Sequence, residues 1–365
     1  MISRKTKNTK KKTEKQKSRK SIKKLNPATI FLLGCVSLIL ISSLQEMSSK
    51  HTILFHGNCI DGWFSAYIAN TVLSQNGTTK MFPIAPSQPN TWPSKEQMAG
   101  THILLLDVSV AEEYRTAWLK AGALAVNCID HHASAVEHWP ADACPINTTA
   151  CAALQTYRAF YPGAEVPFWL EHIDRIDRWD NPTYQDRCIR EILNVISHLP
   201  VQKKIPEAIA MTEAFLLNMS NSIGYMGTVS QGKEILDQKD AALLGILTAG
   251  SFHVLTEAYI TAWNLPSTWL NTKVFIIDNT NVTLDTTEAA HLVFLYNSDV
   301  TAFINYRKKL IHGRGAGAVT KEVYVYSARS RGFDLTQGTI LRGHPTACGA
   351  SLVKGEAPVL PFLLA

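Results

Sequence analysis

Seven cysteines in 365 residues are few, and they are scattered: Cys35, Cys59, Cys128, Cys144, Cys151, Cys188 and Cys348, with no Cys-x-x-Cys pair. An odd, dispersed set excludes a disulfide framework and a zinc ribbon, and it favours a reducing compartment. The glycine-rich stretch GRGAGAV (313–319) lacks the Gly-Lys-Ser/Thr ending of a nucleotide phosphate loop, so it reads as a hairpin connection. Internal repeats are absent. A basic body is absent too, although the formal net charge is +6. Residues 1–24 hold twelve Lys/Arg against one acid, Glu14, and removing that excess of 11 leaves about −5 for the rest. This excludes a generally cationic nucleic-acid-binding surface; any basic groove must be local.

Long apolar runs are also missing, with one exception. ATIFLLGCVSLILISSL (28–44) is seventeen positions without a charge, at the lower limit for a membrane span and flanked by the lysine-rich leader. Two readings stand. Either this segment anchors the chain in a membrane or is a cleavable signal, or translation starts at Met47 and the protein is cytoplasmic.

What is present is an alternation of short apolar runs with helical periodicity, the pattern of βαβ units. HTILFHG (51–57) precedes GWFSAYIANTVL (62–73), THILLLDVS (101–109) precedes AEEYRTAWLKAG (111–122), and ALAVNCIDHH (123–132) follows. The expected fold class is α/β, a doubly wound, mainly parallel sheet, followed by a smaller α+β domain with the active site in the cleft between them. NTTACAALQTYRAFYPG (147–163) reads as a helix capped by Thr148 or Thr149. WLEHIDRIDRWDNP (169–182) reads as a helix with Asp174 and Asp177 on one face and Asp180 continuing the row. Residues 185–265 read as helices. From 272 the texture turns to strands: 272–279, 290–297, 300–308 and 321–330. The aromatic residues Phe168, Trp169, Trp179 and Tyr184 are expected in the core.

Each of the first three runs ends in His or Asp. Parallel strands present their carboxyl ends along one crevice, so His56, Asp61, Asp107, Asp130 and His131 would converge there. A single strand-end Asp more often caps the following helix. Five such positions with an Asp-His-His run point instead to hard divalent metals, which take carboxylate, imidazole and water ligands.

These stretches carry a resemblance. FHGNCIDGWFSA (55–66), LLLDVS (104–109), CIDHHAS (128–134) and RIDRW (175–179) resemble, in order, the four metal-site motifs of the DHH phosphoesterase superfamily. VYSARSRG (325–332) and LRGHPTACGASL (341–352) resemble the signatures of its DHH-associated C-terminal domain. The resemblance covers most of residues 51–352. It implies a DHH catalytic domain over 51–200, a helical connector over 201–265 and a substrate-binding domain over 266–365, after a basic tail (1–24) and the hydrophobic segment (25–46). It implies two Mn²⁺ ions, with Mg²⁺ as the alternative. His56 and Asp107 would hold one ion, and Asp61, Asp107, His131 and Asp177 the other, with Asp107 bridging. Asp130 would orient the histidines, and His132 would face the scissile phosphate. Arg329, Gly343 and His344 would bind a substrate phosphate.

The implied activity is hydrolysis of a small nucleotide or short oligonucleotide, as phosphodiester or phosphomonoester, by a hydroxide bridging the metals. Polyphosphate or pyrophosphate hydrolysis is the alternative chemistry, and an inactive scaffold serving as a binding module is the alternative class. The chain departs from the family pattern at Asn58 and Cys59, where a further Asp is usual, and at Leu341-Arg342, where glycines are usual.

Overall fold

Four aliphatic runs form a wholly parallel sheet in the order β2-β1-β3-β4, from β1 (Ser49–His56), β2 (Gly77–Ile84), β3 (His102–Leu106) and β4 (Ala125–Ile129). The computed structural model describes residues 49–86, 88–89, 92–132, 135, 139, 147–263, 267–278, 280, 284–312, 320–331, 335, 342–344 and 347–353. The segment 28–44 and the connection 313–319 lie outside these residues. Among the described residues no helix is long and apolar enough to cross a membrane.

The strands read as continuous apolar runs because both faces of the sheet are covered, as parallel sheets require. Ile53, Phe55, Leu104 and Leu106 point into one cluster, while Leu54, Ile103, Leu105, Val126 and Cys128 point into another. The first cluster is closed by α1 (Ile60–Leu73), α4 (Ala152–Phe160), α5 (Phe168–Arg178) and α6 (Tyr184–His198). The second is closed by a short α2 (Lys95–Met98) and by α3 (Glu112–Lys120). Register then sets the site. Phe55 pairs with Leu106 and Leu106 with Ile129, so His56, Asp107 and Asp130 form the next row, at the point where the ladder ends.

Two further helices, α7 (Ile205–Met219) and α8 (Ser222–Leu247), pack beside α6 and lead to a six-stranded sheet. It comprises β5 (Ser251–Val254), β6 (Lys273–Asp278), β7 (Ala302–His312), β8 (Thr320–Ser330), β9 (Arg342–His344) and β10 (Ala347–Val353) in the order β5-β6-β7-β8-β10-β9. Only β6 and β7 run parallel; the other neighbours are antiparallel. A short α9 (Glu257–Trp263) lies between β5 and β6, and α10 (Thr286–Tyr296) lies between β6 and β7. The fold is therefore α/β with a smaller mixed-sheet unit, as expected.

Three local expectations are corrected. Residues 290–297 are not a strand but belong to α10. Asp285 accepts hydrogen bonds from the Thr287 and Glu288 backbone N–H groups at 3.0 and 3.2 Å, which starts the helix. Ala289, Ala290, Leu292 and Val293 then bury at helical spacing against Phe275, Ile277 and Phe303. Residues 251–254 are a strand rather than a helix, pairing with β6. Phe168 and Tyr184 are exposed rather than in the core, at 51% and 43%.

Candidate metal centre

The end of β1 and the start of α1 are joined by a tight turn in which Asn58 takes a left-handed φ of 59°. That turn exposes Asn58 and brings Cys59 and Asp61 back toward the sheet edge. Gly62, in the first turn of α1, lies so close to His56 that a Cβ there would strike the His56 carbonyl oxygen. At the end of β3, Asp107 also adopts a left-handed φ, 57°, a strained conformation for a residue other than glycine and one that clusters at functional sites. Its N–H donates to the Ile129 carbonyl at 2.9 Å, which ties the turn to β4.

The side chains converge. His56 Nδ1 lies 3.2 Å from Asp107 Oδ2, and His131 Nε2 lies 3.2 Å from Asp107 Oδ1, 3.3 Å from Asp177 Oδ2 and 3.6 Å from Asp61 Oδ2. Asp107 lies between His56 and His131, with Oδ2 toward the first and Oδ1 toward the second. Asp177 arrives from the last turn of α5. Three sets of side chains place ligand atoms within 4.8 Å of one another: His56, Cys59 and Asp107; Asp61, His131 and Asp177; and Asp107, Asp130, His131 and His132. The structure thus brings together all five residues expected to hold metal, and it adds Cys59, which the sequence pattern marks only as a departure. Asp130 lies just behind: its Oδ1 accepts from the His131 and His132 N–H groups at 2.7 and 3.2 Å and lies 2.7 Å from His132 Nδ1. That fixes the His132 imidazole and the backbone that carries His131.

Electrostatics agree with a cation site. Asp61, Asp107 and Asp130 are buried, at 0%, 1% and 1% exposure. Asp107 Oδ1 and Asp177 Oδ2 lie within ion-pair distance of His131 but accept no well-aligned hydrogen bond, which leaves buried anionic lone pairs facing inward. Burial and the neighbouring charge of Asp107 push the Asp61 carboxyl up to about 7, against the pull of His131. Burial and the charges of Asp61 and Asp107 likewise raise Asp177. Asp107 moves the other way: burial opposes it, but the imidazoles of His131 and His56 beside it hold it below the usual carboxylate range. His131 is pushed up to about 10, since the adjacent carboxylates of Asp107, Asp61 and Asp177 outweigh burial. Among these side chains alone, the His131 imidazolium and the raised carboxyls of Asp61 and Asp177 together relieve the crowding of negative charge around Asp107. A metal ion ligated by neutral His131 would displace that proton.

Asp61 does a second job. Its two oxygens accept the N–H groups of Ala152 and Ala153 at 2.7 and 2.6 Å, so it caps α4. Thr148 and Thr149, the expected caps, do not; Thr149 instead closes a turn on Asn147. Each carboxylate oxygen has two lone pairs, so capping leaves ligand capacity. Asp174 is engaged elsewhere, accepting from the Cys151 N–H at 2.7 Å and from Arg178, and Asp180 is exposed beyond the helix end.

The residues expected to bind phosphate lie in the second sheet. Arg329 on β8 donates through Nε and Nη2 to Thr287 Oγ1 at 3.2 and 3.0 Å and through Nη1 to its neighbour's carbonyl, Ala328 O, at 2.8 Å. Ala347 on β10 pairs with Arg329 on one side and His344 on the other, so Arg329 and His344 share one row across the sheet, with Gly343 next to it on β9. The two halves are clamped. Glu288 of α10 takes Arg187 Nη2 and Arg190 Nη1 of α6, each at 2.7 Å, and Trp179, two residues beyond Asp177, packs edge-on against His291 at 5.8 Å.

No family model matches the sequence, and no curated protein matches it. Solved structures do. RecJ from Thermus thermophilus in complex with Mn²⁺ is 11% identical, covering 90% of this chain and 53% of that one, with a TM-score of 0.44. An exopolyphosphatase-related protein from Bacteroides fragilis is 12% identical, covering 87% and 90%, with a TM-score of 0.45. Exonuclease RecJ bound to manganese is 11% identical, covering 88% and 90%, with a TM-score of 0.42. The chain thus spans about half the length of the Thermus RecJ.

Proposed function

We propose that the chain is a DHH-type phosphoester hydrolase that works with two divalent ions, Mn²⁺ or Mg²⁺, on a small nucleotide or short oligonucleotide. The observation that carries this is the convergence of His56, Asp61, Asp107, His131 and Asp177, with buried carboxylate oxygens that accept no well-aligned hydrogen bond, at the carboxyl edge of a parallel sheet. Bound there, divalent ions supply an activated water and stabilise charge on the phosphoryl oxygens.

The remaining chemistry belongs to the chain. Asp107 lies between His56 and His131 and holds the two halves of the centre in register. Asp130 locks His131 and His132 through Oδ1. His132, about one-third exposed and with Nδ1 against Asp130, presents the rest of its ring outward, where it would donate to the scissile phosphate or pass a proton to the leaving oxygen. Arg329, held as a planar fork by Thr287, and the β9 backbone at Gly343 and His344 would hold a neighbouring phosphate. A body with a charge of about −5 suits small substrates better than long strands.

Hydrolysis of a generic phosphodiester, a dinucleotide, a bisphosphorylated nucleoside and pyrophosphate, with Mn²⁺, Mg²⁺ or EDTA, tests this. The expectation is metal-dependent turnover of a nucleotide ester that Asp107→Asn abolishes. Preference for pyrophosphate would move the substrate to polyphosphates, and no turnover with no metal bound would leave an inactive scaffold.

A further inference from the structure

Cys59 stands in the turn between His56 and Asp61, at the N-cap of α1, a position that favours Ser, Thr, Asp or Asn, and the Gly62 N–H lies within its reach. It is a half-buried free thiol. With His56 and Asp107 it places one ligand atom each within 4.8 Å of the others, near enough for one ion to gather all three. Asp107 is itself 1% exposed, and its Oδ2 lies 3.2 Å from His56 Nδ1. Asn58, which could ligate through its amide oxygen, is exposed instead. The other candidate ligand set, Asp61, His131 and Asp177, includes no cysteine, and the Cys151 thiol beside it hydrogen-bonds to Asp61.

We infer that Cys59 is a thiolate ligand of the ion held by His56 and Asp107, and that it makes this half of the centre select a borderline-soft ion such as Zn²⁺ or Co²⁺ over Mn²⁺. This rests on the metal-centre reading above. On binding, the thiol proton leaves to solvent as the metal–sulfur bond forms, so the thiolate supplies the negative charge a carboxylate would have given. Thiolates favour zinc-like ions, whereas carboxylates and imidazole alone accept Mn²⁺ and Mg²⁺. The two halves would then differ in metal preference.

The test is Co²⁺ titration of the full chain, followed by optical absorption and equilibrium dialysis. A near-ultraviolet thiolate-to-cobalt charge-transfer band is expected, lost in Cys59→Ser and kept in Asp177→Asn. In Cys59→Asp the preference for Zn²⁺ over Mn²⁺ should fall at least tenfold relative to the unsubstituted chain. If the variants do not fold, alkylation of the unsubstituted protein by N-ethylmaleimide, read by peptide mass spectrometry, serves instead; Zn²⁺ should protect Cys59 selectively. Co²⁺ bound without the band, a band that survives in Cys59→Ser, or unprotected Cys59 would overturn the inference while leaving the metal centre standing. No Co²⁺ bound at all would overturn both.

Discussion

Replacing Gly62 by alanine pits two effects against each other. In an exposed helix the change would gain about 0.5–1 kcal/mol by lowering the backbone entropy of the unfolded chain. At Gly62 the new methyl would collide with the His56 carbonyl oxygen and come within 2.9 Å of His56 Cβ and 3.1 Å of its carbonyl carbon. None of these is the far end of a flexible side chain, so the end of β1 or the start of α1 must shift. Overpacking of this kind costs about 1–3 kcal/mol, and from the middle of the two ranges the net outcome is a loss of about 1 kcal/mol. At about 2–4 °C per kcal/mol for domains of this size, the melting temperature in EDTA falls by about 2–4 °C. His56 moves with the strand, so Mn²⁺ affinity falls as well, by about tenfold or more, the scale on which disturbed ligand orientation is felt. Thermal melts in EDTA and calorimetric Mn²⁺ titration measure the two effects. A Gly62→Ala protein at least as stable as the parent, with unchanged affinity, would refute the claim that this helix turn is pressed against the ligand-bearing strand.

Two further predictions concern buried carboxylates with different tasks. Asp130→Ala removes the acceptor that fixes His131 and His132 but no metal ligand, so metal affinity or turnover should drop by about 10–100-fold without loss of fold; an unchanged Mn²⁺ titration and rate would show that the histidines orient themselves. Asp186 accepts from His172, Arg175 and Thr183, and although burial opposes ionisation these bonds hold its carboxyl below the usual range. A depressed folded value means that its contribution is present above the unfolded value of about 3.9 and is lost as pH falls through the folded one. Asp186→Asn should cost about 3 kcal/mol at pH 7, the low end for breaking a buried pair, and the difference should narrow below about pH 4. Urea unfolding followed by circular dichroism at both pH values checks the sign; a gap that widens in acid would contradict it.

The first sheet and most of its site were legible because parallel, doubly covered strands leave continuous apolar runs, and each run stops at a polar residue that register then aligns. His56, Asp107 and Asp130 needed only that rule. Asp61 was expected at the same edge, but what puts it there, and Cys59 with it, is the left-handed turn at Asn58, and Asp61 is held by contacts with α4, about ninety residues away in sequence. The cap of α4 was misassigned for the same reason: local sequence offers Thr148 and Thr149, but the stronger acceptor comes from a distant segment. In the second half, the Val, Phe and Leu of 290–297 carry strand propensity, and the start signal at Asp285 lies upstream of the window that looked β-like.

Glu288 carries a consequence for how the molecule breathes. It is 1% exposed and receives two arginines from α6, while Thr287, its neighbour, holds Arg329. Parting α6 from α10 would break both ion pairs at once, so the seam resists opening. If Arg329 holds a phosphate and the sheet edge a metal, as proposed, the two would face each other as jaws of a caliper, and the span between them would measure the length of what fits.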